Sequence, residues 1–498
     1  MLDHASSQPA QSRLESHSLG NTEGTPLGRA LASPRAEHPA KSGIHPLREP
    51  GDAFAARVLL ARQASRSLDM QYYIWHDDTT GDLLFEAAWH AAGRGVRVRL
   101  LIDDAGTTGV DELLAALDAH PLIEVRLYNP MTLRRFRALN FVFDFARLNR
   151  RMHNKAFVVD NQVAVVGGRN LGDEYFGATT GVVFADLDVV AVGAVVPEVS
   201  RAFDLYWNCA SAYPVAQLLP APPADAAARL EARFAATQAK PEALAYREAL
   251  RSTPLVGELL AGQLPFEWTD TRVVQDDPAK TLDASRRSDV LLLDALLRSV
   301  GSPATSLDLV SPYFVPGKEG ADTLVALARS GVRVRVLTNS LAATDVTAVH
   351  AGYAKRRVEL LQAGVQLFEL KSSAREDEEG GRRRFGGSSA ASLHAKTFAI
   401  DGRRIFVGSF NFDPRSALLN TEMGLLIDSP ALVQQLAVQF DGGLQGAAYT
   451  VRLGADGRLQ WVDRSAAGEV LLHDEPGAGA GTNALIALLS VLPIEWLL

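Results

Sequence analysis

One pattern written twice constrains this chain more than any other feature. "MHNKAFVVDNQVAVVGGRN" begins at Met152 and "LHAKTFAIDGRRIFVGSFN" begins at Leu393. His153, Lys155, Asp160 and Asn170 stand at offsets 0, 2, 7 and 17, and His394, Lys396, Asp401 and Asn411 repeat the same four offsets. A glycine precedes each asparagine by three positions, Gly167 in one copy and Gly408 in the other. A single His-x-Lys on a strand carries little information. Two copies that agree at four spaced positions require two like folding units.

The flanking sequence repeats with the motif. Each half opens with a β-branched, aromatic run, "SLDMQYYIW" from Ser67 and "SLDLVSPYF" from Ser306, followed by an apolar-periodic helix ending in glycine. The next strands are nearly the same, "VRVRLLID" from Val96 and "VRVRVLTN" from Val332, and a further helix and strand precede each histidine. Strands entered from a glycine C-cap and separated by helices predict βαβ units, hence a mixed, largely parallel sheet covered by helices in each half. The expected organisation is a disordered tail over 1–50, an α/β domain over 51–215, a helical linking insert over 216–280, a second α/β domain over 281–450 and a C-terminal segment over 451–498. "SSAREDEEGGRRRFGGSSAA", before the second histidine, reads as a charged mobile loop, either plain solvated chain or a gate over the site.

Side chains two apart on a strand share a face, so His153 and Lys155 are expected to point the same way. Asp160–Asn161 and Asp401–Gly402 suit tight turns, after which a returning strand brings Asn170 or Asn411 back beside the histidine. Asp160 and Asp401 therefore belong to the turn rather than to the chemistry. Each half offers an imidazole, an ammonium and a carboxamide, which is half a site. Joined about a pseudo-two-fold axis, the halves surround one centre with two of each, a set that suits a phosphoryl group. The lysines neutralise its oxygens, one imidazole attacks phosphorus, and the other protonates the leaving alcohol and then activates the incoming nucleophile. A phosphohistidine intermediate follows. No metal or other cofactor is called for, since lysines carry the positive charge and no ligand set has zinc-like spacing.

Composition sets looser bounds. The 498 residues allow two or three domains, and 47% hydrophobic with 22% charged residues describes a globular chain. A net charge of −8 opposes binding to nucleic acid. Cys209 is the sole cysteine, so no intrachain disulfide forms. No signal peptide is evident, and no run of 18 apolar residues occurs.

These residues resemble the phospholipase D superfamily, and within it the bacterial cardiolipin synthases of the C type. The likeness covers most of residues 51–450 and rests on both motifs together with "GGRNLGDEYF" from Gly167, "GSFNFDPRS" from Gly408, "QYYIW" from Gln71, "LLIDDAG" from Leu100, "SPYFVPG" from Ser311 and the terminal "PIEWLL". The resemblance implies two duplicated phospholipase D-like α/β/α domains with the active site at their interface. It implies that a downstream acid orients each histidine, here Glu422 in "NTEMGLL" and Asp186 in "FADLDVV", with Asp188 the other choice for the second. It implies that His153 is the nucleophile and His394 the acid and base. The implied reaction moves a phosphatidyl group from phosphatidylethanolamine or phosphatidylglycerol to the glycerol hydroxyl of phosphatidylglycerol. Relatives that use water as acceptor, or act on nucleic acid, are the alternatives, and a silent lipid-binding copy conflicts with two intact motifs. Peripheral placement on the cytoplasmic side of the bacterial inner membrane is the implied location.

Two stretches fit a membrane surface on their own terms. "LRRFRALNFVFDFARLNRR" (133–151) places six arginines among four phenylalanines just before His153, which suits either an anionic interface or a core edge. "ALIALLSVLPIEWLL" (484–498) is apolar but short, interrupted by Pro493 and Glu495, and suits a segment lying in the headgroup region. His350 and Tyr353, one turn apart on a helix, are candidates to line the mouth of the site and bind substrate. Asp103 and Asp104 read as a strand-end turn, and His76 and His90 as surface residues. Oligomeric state leaves no mark on the sequence.

Overall fold

The repeated strands build two sheets of one design. In a computed structural model that describes residues 14–177, 183–282, 291–344, 346–372, 391–465 and 468–479, the first sheet runs Asp188–Gly193, Val163–Gly167, Ala156–Val159, Ser67–Ile74, Arg97–Gly106, Ile123–Tyr128, Ala212–Pro214. The second repeats that order with Met423–Asp428, Arg404–Gly408, Lys396–Ile400, Ser306–Val310, Arg333–Asn339, Gln366–Leu370 and Ala448–Leu453. Within these two sheets, among the described residues, only the three βαβ strands of each half pair in parallel; the strands after each histidine return by hairpins and pair antiparallel. The sheets are therefore mixed, with antiparallel pairs in the majority rather than the parallel majority expected, because a two-residue turn cannot make a parallel crossover. Those turns carry positive φ at both central positions: 52° and 50° at Asp160–Asn161, 53° and 66° at Asp401–Gly402.

The "VRVR" arginines become buried ion pairs. Arg99 lies opposite Asp69 in the parallel register, and Arg335 opposite Asp308. Each guanidinium grips its carboxylate at 2.7 and 2.8 Å, a duplicated bidentate clamp at the heart of each sheet. The halves join through a shared apolar layer in which Val158, Val166 and Val189 of one sheet meet Ile405, Val407 and Leu425 of the other. Both histidine motifs sit on hairpins of this interface.

Three boundaries differ from expectation. Residues 14–50 are not a disordered tail: they form helices Pro26–Ala30 and Ala32–Glu37 and a strand Ser42–Leu47 that pairs with Asp188–Gly193. The stretch is polar on average, but Leu27, Leu31 and Leu47 are fully inserted in the first core, and the carbonyls of Leu14 and Ser16 accept from Arg126 and Arg99. Residues 1–13 lie outside the described residues. The segment 216–280 is no separate insert, since helices Ala226–Gln238 and Pro241–Ser252 bury Leu230, Phe234 and Tyr246 in the same core. Past residue 451 the chain adds strands Leu459–Ser465 and Gly468–Leu472 to the second sheet. The loop 373–390 and the apolar end 480–498 lie outside the described residues. No described helix is long and apolar enough to cross a membrane.

Candidate active site

Each histidine stands where its chain crosses to the other half. His153 and Lys155 precede strand Ala156–Val159, and His394 precedes Lys396–Ile400, so three of these four residues sit ahead of the strand expected to carry them. The backbone N–H of His153 donates to the Thr421 carbonyl at 2.8 Å, and that of Thr421 to Arg151 at 2.8 Å. At the other motif, strand Ala391–Leu393 pairs in parallel with Val183–Ala185. Each crossing delivers an acid to the histidine of the opposite half. His153 Nδ1 lies 2.8 Å from Glu422 Oε2, and His394 Nδ1 lies 2.6 Å from Asp186 Oδ2. Asp188, the other possibility for this role, instead pairs with Arg57 at 2.8 Å and Arg169 at 3.3 Å.

Both Nδ1 atoms are held by carboxylates, which turns each Nε2 to the opposite side of its ring. Lys155 donates from Nζ to the His153 carbonyl at 2.6 Å; Lys396 donates to the His394 carbonyl and lies 3.0 Å from His394 Nδ1. Asn170 accepts from the Ile74 N–H at 3.2 Å and donates to the Tyr175 hydroxyl at 3.1 Å. Asn411 holds the equivalent place in the second half, buried, its amide oxygen without a partner among the described residues. Tyr73 meets the His153 ring edge to face at 5.0 Å, and Tyr175 meets His394 at 5.1 Å.

The electrostatics couple the two motifs. Burial, then Lys155 and Lys396, hold His153 well below its ordinary value. Burial and Lys396, with Lys155 adding and Asp186 opposing, push His394 down to about 4. Each imidazole thus feels the lysine of the other motif. Burial drives the Lys155 ammonium well below its ordinary value, with Glu422 opposing. The acids diverge. Burial pushes Glu422 up to about 7 against the pull of Lys155, whereas at Asp186 burial is outweighed by His394, Lys396 and Arg169, which hold it below the usual carboxylate range. Negative charge between the motifs would favour the protonated forms of these imidazoles and ammonium groups.

The family described as "Cardiolipin synthase, PLD-like domain" matches residues 59–207 and 296–443. The chain belongs to that family. It is 48% identical over 472 residues to Cardiolipin synthase C of Escherichia coli (strain K12), covering 95% of this chain and 99% of that one. It is 27% identical over 418 residues to Cardiolipin synthase A of Edwardsiella ictaluri, covering 83% and 70%. Among solved structures, a phosphatidylserine synthase of Haemophilus influenzae superposes with a TM-score of 0.59 at 13% identity, covering 94% of this chain and all of that one, which speaks to fold alone.

Not every residue singled out from the sequence joins this family's paired motif. Asp160 accepts from the backbone N–H groups of Ser65, Arg66 and Ser67, and Asp401 from those of Ala304, Thr305 and Ser306, so both tie a turn to the start of the first strand of their half. Asp103 and Asp104 are buried anchors, not a turn: Asp103 takes Arg151 at 2.9 Å and the Met152 N–H at 2.8 Å, fixing the chain just before His153. His350 Nε2 bonds Glu475 at 2.6 Å, and Tyr353, 2% exposed, packs on Phe314 in the second core. Tyr73, Tyr175 and Ser409, whose hydroxyl donates to Glu422, are the contacts sequence reading missed. Laying the halves side by side flags them, since Ser67 with Ser306 aligns Tyr73 with Pro312, and Asn170 with Asn411 aligns Tyr175 with Ser416.

Proposed function

We propose that the protein is a cardiolipin synthase that transfers a phosphatidyl group through a phosphohistidine on His153. The observation that carries the reading is the crossed pair of histidines, each oriented at Nδ1 by an acid of the opposite half and each sensing the other half's lysine. Family membership and the relatives named above support the choice of lipid. Neutral His153 attacks the phosphorus of the donor lipid through Nε2, forming an N–P bond as the bond to the headgroup oxygen breaks. His394, its imidazolium supported by ionised Asp186 together with the phosphodiester charge that offsets the two lysines, gives its proton to the departing alcohol. Lys155 and Lys396 carry the charge on the non-bridging oxygens. The glycerol hydroxyl of phosphatidylglycerol then surrenders its proton to His394 and displaces His153 from phosphorus, giving cardiolipin. The donor is phosphatidylethanolamine or phosphatidylglycerol, and the enzyme works peripherally at the inner membrane, from the cytoplasmic side.

Vesicles of phosphatidylglycerol, with and without phosphatidylethanolamine, test this by mass analysis of the lipids after incubation. Cardiolipin with release of ethanolamine or glycerol is the expected product. Phosphatidic acid without cardiolipin would mean that water is the acceptor, and the transferase reading would fall.

A further inference from the structure

Helix Arg137–Phe143 is built inside out. Its buried residue is Asn140, 3% exposed, whose amide donates to the carbonyls of Leu133 and Arg137 while its oxygen accepts from the Leu133 N–H at 2.8 Å and the Thr132 hydroxyl. Its apolar side chains, with that of Phe136 just before it, are left exposed: Phe143 is 80% exposed, Val142 73%, Phe136 61% and Leu139 48%. Soluble helices bury the reverse pattern, and a contiguous apolar face of this kind marks an interaction surface. The arrangement is held firmly. Arg134 clamps Asp111 and Asp104, and Arg137 bonds the Asp104 carbonyl at 2.8 Å and Asp111 at 3.0 Å, so these arginines point inward while the phenylalanines point out.

Position and charge say what covers this face. Of the six arginines in residues 133–151, Arg134, Arg137, Arg147 and Arg151 pair with acids, and Arg135 is the exposed one, beside Phe136 of the apolar face. The segment ends at Arg151 and Met152, both fixed by Asp103, directly before His153. Asn129, at the end of strand Ile123–Tyr128, donates to the Arg147 and Arg150 carbonyls, so the segment is fastened at the strand end beside the site. We infer that this face docks on an anionic lipid bilayer, with Phe136, Leu139, Val142 and Phe143 in the headgroup–acyl boundary and Arg135 at lipid phosphates. Docked this way, the His153 end of the cleft meets the surface that holds the substrate. This deepens the proposed function and rests on its membrane phospholipid substrate.

The test uses the full chain and vesicles of phosphatidylglycerol and phosphatidylethanolamine, with binding read by co-sedimentation. The double variant Val142→Glu/Phe143→Glu should bind roughly a hundredfold more weakly, by about tenfold for each apolar side chain withdrawn from the boundary. Its Tm should match wild type. Unchanged vesicle binding would overturn the inference, as would a switch from dimer to monomer with binding intact, which would make the face a contact between copies. Should the double variant not fold, Phe143→Trp supplies a second readout: its emission should shift to the blue and be quenched by brominated lipid tails, and no shift would overturn the inference. Dispersed short-chain phospholipid separates the two claims. The double variant should turn it over like wild type, whereas a wild-type protein that binds vesicles yet turns over no lipid would sink the proposed function and leave the docking face standing.

Discussion

His153 leans on Glu422 and His394 leans on Asp186, and the two carboxylates occupy equivalent places without being equivalent. Gly167 pairs with Asp188 and Gly408 with Gly424, which sets Asp186 opposite Glu422 in the two-fold scheme. Beside Glu422 stands Ser409, whose hydroxyl donates at 2.5 Å; the matching residue in the first half is Gly168, where a Cβ would fall 2.3 Å from Asp186 Oδ1. Asp186 takes the Leu187 N–H at 2.7 Å instead. Both tyrosines that meet the histidines come from the first half, with Pro312 and Ser416 at the matching positions of the second. Duplication thus supplies one geometry twice, and a few unmatched residues make the copies electrically distinct. Both imidazoles are held below their ordinary value, so a neutral His153 is ready to attack, whereas protonation of His394 as the acid waits on the negative charge of a bound phosphodiester.

Removing either imidazole should have the largest effect. His153→Ala and His394→Ala should each lower kcat roughly a thousandfold or more, and the double variant should be little worse than either, because groups that act as a unit fail together. Steady-state lipid turnover checks this, and a variant within tenfold of wild type would break the shared site. Next come the lysines. Lys155→Met and Lys396→Met should each cost about a hundredfold to a thousandfold in kcat, as expected for donors aimed at developing phosphate charge.

The acids sharpen the comparison. Asp186→Asn should cost about a hundredfold, since an ionised carboxylate supports the His394 imidazolium, and Glu422→Gln only about tenfold, since burial raises its carboxyl to about 7 and leaves it only partly ionised at neutral pH. Equal losses would remove the asymmetry. Stability should respond to pH in opposite senses through Glu422 and through His394. Glu422 is raised from 4.5 to about 7 in the fold, so between those values the unfolded chain has lost a proton that the folded chain keeps, and stability falls as pH rises. Glu422→Gln abolishes that decline, and its Tm should gain on wild type between pH 5 and pH 8. His394, lowered from 6.5 to about 4, makes stability fall as pH drops through that window. The smallest effects belong to the turns. Asp160→Ala should cost about 2 kcal/mol in denaturant unfolding and the more exposed Asp401→Ala less, with kcat retained in both.

The sequence showed the repeated core and both His/Lys pairs because a fixed spacing on a hairpin is a local property. Glu422 was legible by its place after the asparagine strand, whereas Asp186 and Asp188 could be told apart only by register, which decides that one faces His394 and the other Arg57. That the acids cross between halves is a tertiary fact with no local trace. The bond from His350 to Glu475, 125 residues away, is equally without local trace. Residues 14–50 looked like a tail because a few leucines among polar residues carry their packing, a signal too sparse for any window average.

The division of labour between the histidines can be tested with a phosphatidyl ester of p-nitrophenol, a leaving group that departs without a proton. The account predicts that the His394→Ala variant releases a stoichiometric burst of p-nitrophenol and stalls with the phosphatidyl group on His153, located by peptide mass, while His153→Ala gives no burst. A burst from His153→Ala, with the adduct on His394, would contradict it.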